Sequence, residues 1–117
     1  MNPLNRCVLV LMAGLPIPSA LAGDAAAGAA AWVAEHRPGG GAPVRSCVTC
    51  HGDDLTKPGR HAVTGKAIEP LAPSVNPERL SDPANVEKWL RRNCRWTLGR
   101  ECTATEKADF VAYIKTQ

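Results

Sequence analysis

The first regular pattern of apolar positions begins at Asp24, where Ala25, Ala29, Trp32 and Val33 fall along one stripe of an Ala-rich stretch. That spacing predicts a helix capped by Asp24 and running to about His36, ended by Pro38-Gly39-Gly40-Gly41. From Thr56 to Pro83 there are five prolines and no period, which reads mainly as an extended surface loop. Asp82 and Pro83 then open a second helix as cap and first helical residue. On it Val86, Trp89, Leu90 and Asn93 recur at i, i+3, i+4 and i+7 and share a face. Thr103-Ala104-Thr105-Glu106 is a capping box, and Phe110, Val111, Tyr113 and Ile114 give the third helix its apolar side. There is no strand alternation of useful length and no internal repeat. The expected class is all-α, with the N- and C-terminal helices free to pack together.

The apolar run from Cys7 to Leu15 is of another kind. It follows Arg6, is too short to span a bilayer, is broken by Pro16 and Pro18, and leads to Ala20-Leu21-Ala22. Residues 1–22 therefore read as a cleaved secretory signal peptide, and 23–117 as one domain exported to the periplasm. An uncleaved anchor is the competing reading. Cleavage removes Cys7 and leaves Cys47, Cys50, Cys94 and Cys102, an even number suited to an oxidising compartment.

Composition narrows the class. The chain has 117 residues, 44% hydrophobic and 21% charged, which excludes a disordered chain and a membrane bundle. A net charge of +3, lowered to +2 without Arg6, is too mild and too evenly spread for nucleic-acid binding. Phe and Tyr occur once each, so the core is short of aromatic mass and is expected to borrow some from a bound group.

Cys47-Val48-Thr49-Cys50-His51 is the C-x-x-C-H pattern of covalent haem c attachment. Two thiols three positions apart can bond the two vinyl groups of one haem edge, and the adjacent His51 then lies under the iron. A thioredoxin-like dithiol would need α/β strands that the pattern lacks. A zinc site would need a second close ligand pair, whereas Cys94 and Cys102 have seven residues between them. Haem also supplies the missing apolar mass.

The opposite coordination position is not filled by the usual methionine. Met1 and Met12 both lie in the signal segment, so the expected mature chain has none. His36, His61, a lysine, a neutral oxygen donor or an open site remain. Asn93 ends an apolar stripe, where an Asn is ordinarily a helix C-cap. Yet Cys94 follows it directly, and Cys94 with Cys102 is the pair left once haem takes Cys47 and Cys50. His61, in a Gly/Pro-flanked loop, reads as a solvated histidine or as the ligand of a closed bis-His carrier. His36 reads as a cation at a helix C-terminus. Arg45, Arg60 and Lys66 are candidates for haem propionates, and Arg91, Arg92 and Arg95 for docking an acidic redox partner, although each also reads as a solvated charge.

Gly65-Lys66 through Ile68, Pro70-Leu71-Ala72-Pro73-Ser74, Val86-Glu87-Lys88-Trp89, Arg92-Asn93-Cys94, Gly99-Arg100-Glu101-Cys102-Thr103 and Glu106-Lys107 together resemble the sphaeroides haem protein family. These are small exported monohaem cytochromes c, and the likeness runs from about Ser46 to the C-terminus. It implies a class I-like cytochrome c fold around one covalent haem, with His51 and Asn93 as iron ligands and a Cys94–Cys102 disulfide. It further implies that Asn93 leaves on reduction so that oxygen, nitric oxide or carbon monoxide can bind. The implied electron donors are a dihaem cytochrome c and a membrane cytochrome b. Two other readings stand beside this one: a plain six-coordinate His/His electron carrier without a gas site, and a small haem enzyme acting on nitric oxide, oxygen or hydroxylamine.

Overall fold

The carboxylate of Asp24 accepts hydrogen bonds from the backbone N–H groups of Ala26 and Ala27, at 2.9 and 3.1 Å, and so starts the first helix. In this computed structural model, which describes Gly14 and residues 22–117, that helix is α1 (Ala25–Val33). The signal segment otherwise lies outside the described residues. The helix ends three residues before the expected His36. Ala34 is already extended, and His36 exchanges two backbone hydrogen bonds with Arg45, at 2.7 and 2.9 Å, in an antiparallel bridge. His36 is thus held by the backbone of Arg45 and does not lie at the helix end. The buried face also differs from the expected stripe: Gly28 and Trp32 are inside, whereas Val33 is 58% exposed.

Gly28 marks the closest approach of α1 to the last helix, α4 (Ala104–Lys115). A Cβ at Gly28 would run into the Asp109 carbonyl and the Tyr113 Cβ, so only glycine lets the backbones meet. The pair is tied at its end by the Asp24 N–H, which donates to the Asp109 carboxylate at 2.7 Å. Helix α4 begins with the complete capping box: the Thr103 hydroxyl accepts from Glu106 N–H, and the Glu106 carboxylate accepts from Thr103 N–H.

Between these helices run α2 (Val48–His51), the strands β1 (Gly59–Arg60) and β2 (Ala67–Ile68), and α3 (Pro83–Leu98). The strands pair antiparallel, Gly59 opposite Ile68 and Arg60 opposite Ala67. The proline-rich stretch is therefore more than a surface loop. Leu55 and Ala72 within and beside it are buried at 1% and 0% exposure, and the Ala72 N–H donates to the Leu55 carbonyl at 2.9 Å. The segment closes on itself through these few backbone bonds and turns.

Helix α3 starts as its sequence requires, with Asp82 accepting from Ala84 and Asn85 N–H and Pro83 in the first turn. It ends at Gly99, whose φ of +76° and contact with the Pro38 carbonyl both demand glycine. The buried cluster is small: Trp32, Leu55, Ala72, Cys94, Cys102, Phe110 and Ile114. Trp32 meets Phe110 edge-on at 6.3 Å and Tyr113 at 5.7 Å between ring centroids. Among the described residues the architecture is four helices with one two-stranded ribbon, in line with the all-α expectation.

Candidate haem site

Helix α2 is a single turn that carries the C-x-x-C-H residues. Cys47 begins it, its carbonyl accepting from His51 N–H at 3.1 Å, and Gly52 ends it with φ +73°. Ser46 N–H donates to the Thr49 hydroxyl at 2.9 Å and holds the turn from the other side. Cys47 and Cys50 are half-buried free thiols. Burial pushes the Cys47 thiol up to about 11, with the neighbouring Cys50 adding to the shift. Burial, helped by the Arg79 cation, pulls His51 down to about 4, so its imidazole is neutral at physiological pH. Neutral imidazole is the form that coordinates a metal.

Trp32 supports this turn and also lines the cavity beside it. Its ring lies 5.6 Å from that of His51, and its Nε1–H donates to the Gly52 carbonyl at 3.0 Å. The α1 pattern placed Trp32 on the inner stripe, but nothing local in the sequence pointed to His51. On the opposite flank Ala62 N–H donates to the Cys50 sulfur at 3.3 Å, and Gly59 packs against the Cys50 carbonyl.

In front of the turn is a cavity of about 810 Å³. Cys47, Cys50 and His51 line one side of it; Val86, Trp89, Leu90 and Asn93 of α3 line another. The size suits a cofactor. Its walls also fit a large flat apolar group: Leu71, Leu80 and Leu90 are only partly buried, and Trp89 is 46% exposed. Those side chains gain further cover from an apolar group placed within the cavity. The residues present therefore fit a haem bonded to Cys47 and Cys50 and faced by His51.

Asn93 lies within α3 and does not cap it. The helix continues to Leu98, with Cys94 and Thr97 buried beyond Asn93. Cys94 and Cys102 are joined, their Cα atoms 5.6 Å apart, which ties the segment after Asn93 to the start of α4. Trp96 was not singled out by the helical stripe, although it stands three residues past Asn93 and lines the same cavity. The Arg45 guanidinium stacks on it at 3.9 Å and donates Nη1–H to the Trp96 carbonyl at 2.8 Å.

His61 also lines the cavity, 6.1 Å from the Trp96 ring. Its Nδ1 accepts from the N–H groups of Val63 and Thr64, at 3.2 and 3.1 Å. The neutral ring then carries its proton on Nε2, the atom a coordinating histidine would need free. Of the three candidate propionate partners, Lys66 lines the cavity. Arg45 gives its Nη1–H to the Trp96 carbonyl but keeps a buried Nε without a hydrogen-bond partner, and Arg60 gives its Nη1–H to the Gly65 carbonyl. Arg79, unremarked in the sequence, lines the cavity and is braced by bonds to the Pro70 and Glu69 carbonyls. In the basic run of α3, Arg91 and Arg95 face Glu101, whereas Arg92 sits near the Trp89 ring.

A family profile described as a domain of unknown function (DUF1924) matches residues 18–114. The chain is 46% identical over 107 residues to the cytochrome c-type protein SHP of Cereibacter sphaeroides, covering 92% of this chain and 81% of that one. Cytochrome c'' of Methylophilus methylotrophus is 42% identical over 72 residues, covering 62% of this chain and 50% of that one. A solved structure of oxidised SHP, described as an oxygen-binding cytochrome c, superposes with a TM-score of 0.75 at 47% identity, over 81% of this chain and 83% of that one. The crystal structure of oxidised cytochrome c'' does so with a TM-score of 0.73 at 33% identity, over 82% and 77%. Fold and cavity thus define a monohaem c-type cytochrome, with one covalently bound haem and a helical cytochrome c fold. Within that class the chain belongs to the SHP family, which carries the DUF1924 domain.

Proposed function

We propose that this is an exported electron-transfer cytochrome whose distal asparagine is released on reduction so that a diatomic gas can bind. In this reading residues 1–22 are a cleaved signal peptide, and residues 23–117 work in the periplasm with the Cys94–Cys102 disulfide formed there. Cys47 and Cys50 hold the haem, His51 is the proximal ligand and Asn93 the distal one. Haem supplies an iron that takes up one electron and, when ferrous, accepts diatomic gases.

The observation that carries the reading is the position of Asn93 inside α3 on the cavity wall, in a chain without methionine after Met12. An amide oxygen is a neutral, hard and weak donor. Asn93 therefore tolerates ferric iron and holds ferrous iron poorly, so it can leave without a large rearrangement of the chain. Once released, its NH₂ group is a hydrogen-bond donor toward the vacated space. The SHP of C. sphaeroides is described as oxygen binding, and the likeness extends that property to this chain. A dihaem cytochrome c and a membrane cytochrome b are its proposed electron donors.

A second reading is a closed His61/His51 electron carrier, favoured by the presence of His61 on the cavity wall. Against it stand the two N–H groups that His61 Nδ1 accepts. A third, a small haem enzyme acting on nitric oxide, oxygen or hydroxylamine, requires the same open site together with turnover. Absorption spectra of the oxidised and reduced holoprotein, with and without carbon monoxide, test all three. The first reading requires an Asn93→Ala ferric spectrum unlike wild type and ready carbon monoxide uptake by the reduced protein. An unchanged ferric spectrum removes Asn93 as ligand, and no carbon monoxide uptake supports the closed carrier. Steady-state turnover with a reductant would favour the enzyme.

A further inference from the structure

Asn93 stands between two indoles on α3. Trp89 is one turn before it and Trp96 one turn after, and all three line the cavity. Each indole is accompanied by cations. The Lys88 ammonium and the Arg92 guanidinium lie 5.4 and 5.5 Å from the Trp89 ring, and Arg45 covers Trp96 at 3.9 Å. Such contacts favour one ring position over others. Trp96 is pinned further by the His61 ring and by the bond from Arg45 to its own carbonyl. Trp89 is 46% exposed, yet as a cavity-lining residue it turns part of its ring to the space a flat group would fill. Its surroundings do not explain that exposure as core packing: Trp89 is absent from the buried cluster and from the side chains packed on it.

We infer that Trp89 and Trp96 wall the distal site on either side of Asn93 and limit it to ligands of about diatomic size, with Trp89 as the specificity-determining residue. This rests on Asn93 being the ligand that leaves. The space opened by one departing amide is small; the braced Trp96 bounds it at one end and the Trp89 ring at the other. A linear diatomic fits the length of the amide group it replaces. A ligand that continues beyond its second or third atom, such as an alkyl isocyanide, must displace an indole. Trp89 is the one able to yield or be trimmed, because it lies outside the buried core. Trp96 is braced by Arg45 and His61.

The experiment uses the reduced holoprotein and reads carbon monoxide, methyl isocyanide and n-butyl isocyanide binding from absorption spectra. Wild type should bind carbon monoxide readily and lose affinity steeply along the series. Trp89→Ala should bind n-butyl isocyanide on the order of tenfold or more tighter than wild type, with carbon monoxide affinity changed much less. Trp89→Phe should fall between them. Wild type that binds carbon monoxide and n-butyl isocyanide alike overturns the size filter while leaving Asn93 release intact. So does Trp89→Ala with an unchanged isocyanide series. Wild type that binds no carbon monoxide removes the release reading and this inference with it. Should Trp89→Ala fold poorly, Trp89→Phe decides the point: an isocyanide series identical to wild type overturns the assignment of Trp89.

Discussion

Trp32 and His51 lie ring to ring, 5.6 Å apart and inclined at 42°, although nineteen positions separate them in the chain. The contact joins the helix that closes the N-terminal side of the core to the turn that carries the haem-binding motif. Trp32 also donates Nε1–H to the Gly52 carbonyl at 3.0 Å, immediately after that turn. Replacing Trp32 with Phe keeps most of the apolar packing but leaves a half-buried carbonyl without its donor. The expected loss is about 1–2 kcal/mol in denaturant unfolding of the holoprotein. Resonance Raman of the reduced protein should report a shifted iron–histidine band; an unshifted band would confine Trp32 to a purely structural part.

Asn93→Ala should change the ferric absorption spectrum toward that of a more open or water-ligated haem. The reduced spectrum should change little, because in the proposed cycle the amide is already off the iron in that state. Equal changes in both oxidation states would contradict redox-linked release.

Gly28→Ala sets a helix-propensity gain of about 1 kcal/mol against a steric collision with the Asp109 carbonyl and Tyr113 Cβ. Backbone cannot yield as a flexible side chain does, so the collision wins. A net destabilisation of about 1–3 kcal/mol is expected, read as a fall in Tm of the holoprotein.

Cys94→Ser/Cys102→Ser removes a bond that closes a loop of sequence separation 8. Loop-closure entropy for that size gives a loss of about 2–3 kcal/mol, measurable by chemical unfolding under oxidising conditions. Since Cys94 follows Asn93 directly, the double variant should also speed carbon monoxide binding to the reduced protein.

Glu106 is held down to about 2, first by the Arg100 side chain, whose Nη1 and Nη2 each donate to its carboxylate at 2.9 and 2.8 Å, and also by the Thr103 backbone. Its ordinary value is 4.5. A carboxyl depressed on folding contributes stability that is complete above about 4.5 and is lost as pH falls toward about 2. Glu106→Gln should therefore flatten the stability profile across that window and leave a lower, less pH-dependent plateau above it. A parallel acid-unfolding curve for wild type and variant would refute the assignment.

Much of this fold is legible in local chemistry. Asp24, Asp82 and the Thr103/Glu106 box start α1, α3 and α4 because each supplies oxygen acceptors to N–H groups only a few residues away. The spacing of Cys47, Cys50 and His51 carries the haem expectation because both bonds and the ligand come from one turn of chain. The lack of methionine after Met12 removes the usual distal ligand by counting alone, and Asn93 comes forward from the helical stripe, the adjacent Cys94 and the family resemblance.

The remainder depended on contacts between distant segments. Whether Asn93 caps a helix or lies inside one turned on where α3 stops, and that is set by Gly99 against the Pro38 carbonyl. The early end of α1 follows from the pairing of His36 with Arg45, two partners no local pattern connects. His61 reads as a loop histidine; the chain turning back beside Cys50 brings it to the cavity wall. Local hydrogen bonds and covalent spacing are written into neighbouring residues, and sequence alone determined them. Packing across α1, α3 and α4 exchanges apolar surface and backbone bonds between segments far apart in the chain, so only the tertiary structure decided which side chains surround Asn93 and which support His51.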